Sequence, residues 1–295
     1  TPVIDWSGNC GNLSSAVGPY AISEGLVDAP RDGIAVVRIW QANIQKRIIA
    51  HVPMRNGEVL EEGDFVLDGV AFPAAEVVLE FLKPGGSGGS ILPTGNAIDE
   101  LNIPGIGNMP VTLLNAGNPT IFVEADRVGL KGTETQDQVN GDAELLARCE
   151  TIRAHCTVAM GLAATAVEAT RLRPHTPKLC FVAKPQAYQA AGGKLVEPGD
   201  IDVIARILSM GKLHHAITGT GAVAVAVAAA LDGTLVNRIA GDIGDRQVRM
   251  GHTAGSVAVG AKTVLEDGAW SVDKAVMSRS ARRLMEGWVR IPEVL

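Results

Sequence analysis

Cys10-Gly11-Asn12-Leu13-Ser14-Ser15-Ala16-Val17, near the start of the chain, is echoed by Thr220-Gly221-Ala222-Val223-Ala224-Val225-Ala226-Val227 near its end. In each, a small residue bearing a thiol or hydroxyl and a glycine open a run of small apolar residues. Each reads as a helix start that holds an anion. The first backbone N–H groups of a helix lack intrahelical partners, and the macrodipole favours negative charge there. Two such helices facing each other make a cleft for a small molecule with two carboxylates. A second pair, Ala74-Ala75-Glu76-Val77-Val78-Leu79-Glu80 and Ala254-Gly255-Ser256-Val257-Ala258-Val259-Gly260, falls in the same order. A chain rich in Ala, Val and Gly also produces such likeness by chance; the shared order favours duplication. The two pairs are unequally spaced, which fits two diverged lobes and not a solenoid of short, regular repeats.

At 295 residues the chain can bury a large core, and two domains or lobes is the natural prior. Hydrophobic residues make up 46% but aromatics only 4%, so the core is built from small aliphatics. No apolar run reaches the roughly 18 residues of a membrane span. The nearest, Ala216–Leu231, is interrupted by Thr218 and Thr220 and reads as a buried central helix. The net charge of −6, without a Lys/Arg cluster interleaved with aromatics, argues against a nucleic-acid partner. Cys10, Cys149, Cys156 and Cys180 show neither a CxxC pair nor zinc spacing and read as reduced thiols of a cytoplasmic protein. The chain opens on Thr1-Pro2 and reaches Cys10 at once. A lobe built around a central helix needs strands on both sides of it, so the first lobe is expected to be N-terminally incomplete.

Periodicity and turn residues give the organisation. A helix is expected over Asn12–Ser23, and strands over Ile34–Trp40, Lys46–His51, Val59–Val66 and Glu76–Leu82. Pro84–Ser90 is a glycine-rich loop, either plain surface or a substrate lid. An interlobe connection is read through Pro104–Pro110. Strands follow at Val111–Leu114, Thr120–Glu124 and Leu179–Ala183, with one long amphipathic helix over Asn140–Thr170. Asp202–Leu208 is strand or short helix. A helix over Ala222–Leu231, strands at Val248–Met250 and Ser256–Ala261, and a final strand at Gly287–Ile291 complete the chain. The basic stretch Arg279–Arg283 is read as a solvated face in preference to a phosphate site. The fold class is therefore α/β with mixed sheets. Residues 1–108 are the remainder of an N-terminal lobe and 109–295 a C-terminal lobe, whose last strand can return to the first.

Cys10 is the best candidate for a reacting side chain. A thiol at a helix N-terminus can serve as acid or base near neutral pH; the alternative is a buried structural cysteine. Gly11 permits close backbone approach to a ligand, and Asn9 and Asn12 can hydrogen-bond carboxylate oxygens. In the second lobe Thr220 offers a hydroxyl to a substrate carboxylate, beside Gly221; its alternative role is an N-cap. Of His214-His215, His215 is expected to line the cleft. A metal role is weak because adjacent histidines point apart and no carboxylate completes a set. His252, in the Gly-flanked Met250–Gly255 turn, is a site residue or a turn residue. No GxGxxG, P-loop, GxSxG or HExxH motif occurs. What remains is acid/base chemistry without cofactor or metal, next to a carboxylate.

These residues resemble the methylaconitate isomerase (PrpF) family, within the diaminopimelate epimerase-like fold. The likeness is carried by Ile4–Leu13, Leu92–Asn96, Asn115–Pro119, Met250–Gly255 and Ser280–Gly287. It implies two similar lobes, each a mixed sheet curled around a central helix, with the site between them. It also implies Cys10 as a catalytic residue, and it adds Asn118 to the substrate-binding candidates. The family's upstream region, with a lysine regarded as the catalytic base, is not in this chain. Thr220 stands where the related epimerases carry a second catalytic Cys, which disfavours a two-thiol racemase. The function expected is a cofactor-independent isomerase that shifts a proton and double bond in a small unsaturated di- or tricarboxylate. The first choice is 2-methylaconitate in propionate catabolism, with 4-oxalomesaconate and 3-methylitaconate nearby. A non-catalytic tricarboxylate-binding protein of the same fold and an amino-acid racemase are the alternatives, and a homodimer is the assembly to test.

Overall fold

A computed structural model describes residues 9–85, 90–244, 246–266 and 269–291. The Ile4–Gly8 part of the first motif, and residues 86–89 of the glycine-rich loop, lie outside the described residues. In chain order the elements are α1 (Ser14–Ser23), β1 (Gly33–Gln41), β2 (Lys46–Arg55), β3 (Glu58–Val59), β4 (Val77–Leu82), β5 (Asp99–Ile103), β6 (Gly107–Ala116) and β7 (Asn118–Glu124). Then come α2 (Gln136–Asn140), α3 (Ala143–Ala159), α4 (Ala166–Leu172), β8 (Lys178–Ala183), β9 (Tyr188–Gln189), β10 (Leu195–Val196), β11 (Val203–Ser209) and β12 (Lys212–Leu213). The chain closes with α5 (Gly219–Ala230), α6 (Leu235–Ala240), β13 (Val248–His252), β14 (Gly255–Glu266) and β15 (Ala269–Arg279).

One mixed 13-stranded sheet runs β1-β2-β4-β15-β14-β13-β11-β8-β7-β6-β5, with β3 beside β2 and β12 beside β11. The pairs β7–β8 and β11–β13 are parallel, and the other pairs are antiparallel. β15 pairs with β4 on one side and β14 on the other, so it joins the strands near α1 to those around α5.

Two periods set the layers. Along β6, β7 and β8, alternate side chains serve two cores, as strand geometry requires. Leu114, Phe122, Cys180 and Val182 pack with α5. Leu113, Ile121, Val123, Leu179 and Phe181 pack with Leu145, Cys149, Ile152 and Cys156 of α3. These strands read as unbroken apolar runs because both faces are covered. α5 is apolar all round and is buried from Gly219 to Ala229. A helix of this composition has no face for water, so the sheet curls around it. Its valines lower intrinsic helix propensity, but burying each contributes about 1.5–3 kcal/mol, which outweighs the few tenths lost. Gly221 is required by the packing itself: a Cβ there would overlap Ile207 Cδ1 and sit 2.5 Å from Thr218 Oγ1. α1 is buried along one stripe only, at Ser14, Ser15, Gly18 and Pro19, against β1, β2 and β4. Leu13 and Val17 are exposed, and Ile22 is half-buried against the core. Among the described residues no helix is long and apolar enough to cross a membrane.

The structure corrects four expectations. The helix read over Asn140–Thr170 is two, α3 and most of α4, with Asn140 ending α2. Asp142 Oδ1 caps α3 at Leu145 N (2.9 Å), and Gly161 ends it at φ 69°. Leu162 N–H to Thr157 O and Gly161 N–H to Val158 O complete a Schellman motif, which a helical wheel does not register. Of the strand read over Val59–Val66, Val59 pairs in β3 and Phe65 makes a lone antiparallel bridge to Ala74, while Glu61-Glu62-Gly63-Asp64 between them turns the chain out of the ladder. The connection read at Pro104–Pro110 is a hairpin between β5 and β6. Ile103-Pro104-Gly105-Ile106 forms its turn, with Pro at the second place, Gly105 at φ 75° and Ile106 N–H on Ile103 O (3.0 Å). The strand expected at Gly287–Ile291 is absent, and residues 281–291 run outside the sheet and largely exposed. Asp202–Leu208, left open between strand and helix, is strand β11.

Several buried polar groups are fixed by their neighbours. Arg206, 1% exposed, lies 4.9 Å from the Tyr188 ring centroid and donates to Gly251 O (3.0 Å). Cys149, Cys156 and Cys180 are core thiols whose pKa burial raises to about 11, 12 and 12. His252, 1% exposed, accepts from Ala254 N–H at Nδ1 (3.2 Å). Burial, with the nearby Arg206 charge, lowers its pKa to about 3.

Two outcomes follow. Gly221→Ala should destabilise the fold by about 1–3 kcal/mol through overpacking. Urea unfolding would read this as a lower midpoint at constant slope, and an unchanged midpoint would mean that α5 shifts freely in the sheet. His252 is neutral in the folded protein but titrates near 6.5 when unfolded. Between those values the unfolded chain binds the extra proton, so this contribution is complete above pH 6.5 and lost as pH falls. The loss is about 2 kcal/mol from pH 7 to pH 5. His252→Asn, which keeps an acceptor for Ala254, should flatten the acid limb of a stability–pH curve by that amount.

Candidate active site

α1 and α5 meet N-terminus to N-terminus. A Cβ on Gly11 would lie 3.0 Å from both Gly219 C and Thr220 N, and a Cβ on Gly219 would lie 3.0 Å from Asn12 N. Only two residues without side chains can bring the backbones this close. The arrangement sets two positive dipole ends against each other. Neither helix carries an acidic residue in its first turn, and α1 has no side-chain cap. α5 is capped by Thr218, whose Oγ1 accepts from Gly221 N–H (3.1 Å). The junction is thus short of negative charge, and an anionic ligand beside it is electrostatically favoured.

The expected site residues fall into three groups around this junction. Cys10, Asn9 and Asn118 line a cleft of about 490 Å³, with Ser14, Gln41, Asn43, His175, Thr176 and Lys178. Cys10 is the exposed thiol of the four, and its carbonyl accepts from Ser14 N–H (3.2 Å) one turn before α1 proper. Asn9 Oδ1 accepts from Gln41 Nε2 (3.2 Å), which ties the Cys10 segment to β1. Lys178 is buried, and its Nζ donates to Ser209 Oγ (2.9 Å).

Asn12, His215 and His252 line a second cleft of about 260 Å³ on the other side of the turn, with Ser15, Asp68, His214 and Arg279. Thr253 Oγ1 donates to the carbonyls of His214 and His215, which fixes that loop. The two rings stack, with centroids 4.9 Å apart, where the sequence reading has them diverging. No third ligand joins them in a metal set among the described residues. Burial and His215 lower the His214 pKa, and its Nδ1 accepts from Ala216 N–H (3.1 Å).

Gly11, Thr220 and Gly221 lie at the helix junction itself and line neither of these clefts. Thr220 is 4% exposed, and its Oγ1 accepts from Asn118 Nδ2 (3.0 Å). It is not the N-cap; Thr218 is. The N–H of Gly221 is occupied by that cap and its Cα faces Ile207, so this glycine serves packing, not ligand contact. The sequence reading missed Lys178, Thr176, Gln41, Asp68 and Arg279. They lie far apart in sequence on strands and loops, and only the sheet order brings them here. The basic stretch read as one solvated face separates into exposed Arg282 and Arg283, facing Glu62, Glu61 and Glu286, and a buried Arg279.

Known proteins resemble this chain over nearly its whole length. A 2-methyl-aconitate isomerase of Shewanella oneidensis is 56% identical over 99% of this chain and 75% of its own length. One from Cupriavidus necator is likewise 56% identical, with the same coverage. The crystal structure of a methylitaconate-delta-isomerase superposes with a TM-score of 0.85 at 40% identity, covering 97% of this chain and 73% of that one. The family model described as PrpF protein matches residues 1–292, and the chain belongs to that family.

Proposed function

We propose that this chain is an isomerase acting on 2-methylaconitate, with proton transfer in the cleft beside Cys10. The observation that carries the reading is the meeting of two uncompensated helix N-termini next to an exposed thiol. Substrates of this class are carboxylates that develop further negative charge as they react. A base takes a proton allylic to the double bond. The electron pair then spreads over the double bond and a neighbouring carboxylate, the former double bond turns, and a proton returns. Atoms and charge balance without an added reactant. Amides and dipoles fixed where the charge develops lower the barrier most. Cys10 is proposed to remove or return the proton, with Asn9 and Asn118 on the substrate oxygens and Lys178 near a carboxylate. The identity to two 2-methyl-aconitate isomerases supports the substrate, and the lack of any membrane-length helix among the described residues is compatible with a cytoplasmic setting. The second reading is the methylitaconate type of reaction, favoured by the 0.85 TM-score and 40% identity. It differs only in the substrate's carboxylate count and in where the proton returns.

Cys10→Ser should lower kcat by about 100-fold or more, since positioned acid/base groups contribute about that much. Because the side chain is exposed, the thermal midpoint should stay within a degree or two of the parent. Near-parental turnover would remove Cys10 from the chemistry. In deuterated water, product and recovered substrate should gain deuterium at the allylic carbon. Turnover without exchange in either would point to a proton retained by one group, and the wavelength scan of substrate ultraviolet absorbance distinguishes the cis–trans from the positional product.

A further inference from the structure

The second cleft holds a charge that the proposed reaction leaves unused. Arg279 ends β15, is 5% exposed and lines that cleft. Its Nε donates to Asn12 Oδ1 (3.0 Å) and its Nη1 to the Ser278 carbonyl (2.8 Å). Among the described residues nothing accepts from Nη2, and no carboxylate pairs with the guanidinium. The other buried arginines differ. Arg153 is bound by Glu150 (2.6 Å), and Arg206 lies over Tyr188. The one acid on the cleft wall, Asp68, already accepts from Lys194 Nζ (2.7 Å) and Ser256 N–H (2.7 Å). His252 on the same wall is neutral. Desolvation without a counter-charge depresses the Arg279 pKa to about 10. Taking a guanidinium out of water costs several kcal/mol unless a counter-ion meets it. The wall therefore presents a forked donor with one free side, beside two helix N-termini that also lack negative charge.

We propose that Arg279 is a specificity-determining residue: its guanidinium binds the carboxylate of the substrate that lies farthest from Cys10, and so separates tricarboxylates from dicarboxylates. Asn12, which Arg279 holds, is two residues from Cys10, so their Cα atoms are at most about 7 Å apart. On this proposal one molecule with three carboxylates reaches both sides of the turn. The inference rests on the isomerase reading for its substrate, but not for the presence of an anion subsite.

The test uses the full-length protein with Arg279→Gln and Arg279→Lys. Kinetics are taken with 2-methylaconitate (three carboxylates) and 3-methylitaconate (two), and calorimetry with tricarballylate, a saturated tricarboxylate that cannot isomerise. Loss of a charge-assisted contact should raise KM for the tricarboxylate about 10- to 100-fold, with a smaller change in kcat and a smaller change for the dicarboxylate. Tricarballylate should weaken by a similar factor, and Arg279→Lys should fall between parent and Gln. An unchanged KM and tricarballylate affinity in a folded Arg279→Gln overturns the proposal. So does a loss confined to kcat, which would make Arg279 a positioning residue acting through Asn12. If Arg279→Gln does not fold, parental tricarballylate affinity in Arg279→Lys overturns it in the same way. Tricarballylate binding that depends on Arg279, in a protein that turns over neither substrate, would leave the subsite standing and remove the isomerase reading.

Discussion

Everything at the site depends on two like-signed helix ends being pressed together. Dipoles so arranged repel, and the sheet overcomes this by holding α5 in a core that closes on every side of it. The contact is possible because Gly11 and Gly219 put no side chain between the backbones. Had either helix begun with an acid in its first turn, the field would be neutralised from within. Instead the oxygens nearby are hydroxyls and amides: Thr218 Oγ1 accepts from Gly221 N–H, Thr220 Oγ1 from Asn118 Nδ2, and Asn12 Oδ1 from Arg279 Nε. These orient donors without cancelling the charge. The cleft is thus prepared for an anion by the backbone itself, in an acidic protein whose net charge of −6 would suggest otherwise.

The sequence made the helix starts legible because their signal is local. A thiol or hydroxyl, a glycine and a run of small residues state both the turn and the burial that follows. It also announced that α5 is central, since no amphipathic stripe can be drawn on it. What was not legible came from chemistry that periodicity ignores. The Pro104-Gly105 turn converts a supposed connection into a hairpin, and Gly161 and Asp142 cut one supposed helix into separate pieces. The Leu92–Asn96 motif shows a further gap. Its Thr94 and Asn96 side chains hold Asp99 (2.7 and 2.8 Å) at the start of β5, a structural part that a motif alone cannot distinguish from a functional one.

The site residues divide along the same line. Those within a few positions of a helix start, Asn9 to Asn12 and Thr218 to Gly221, could be found by reading along the chain. Lys178 at the start of β8 and Arg279 at the end of β15 could not, because their neighbours are set by strand order. The sheet also changes what a basic residue means. Arg279, Arg282 and Arg283 are nearly adjacent, yet the first is at a buried strand end and the others lie beyond it among glutamates. The side chain of a charged residue says little until the strand that carries it has been placed.

The position of β15 has a bearing on how the protein comes into being. As a ribosome delivers the chain, β1, β2 and β4 emerge early, yet β4 finds its outer neighbour only when the last strand of the sheet has been made. Until then β4 and β14 each present an open hydrogen-bonding edge, the kind of surface on which nascent chains cross-pair. Closing this ladder also joins segments separated by most of the chain length, a contact of the sort that slows folding. The seam that unites the sheet is therefore a late event in the life of the nascent protein, and the interval before it is when a chaperone would matter most.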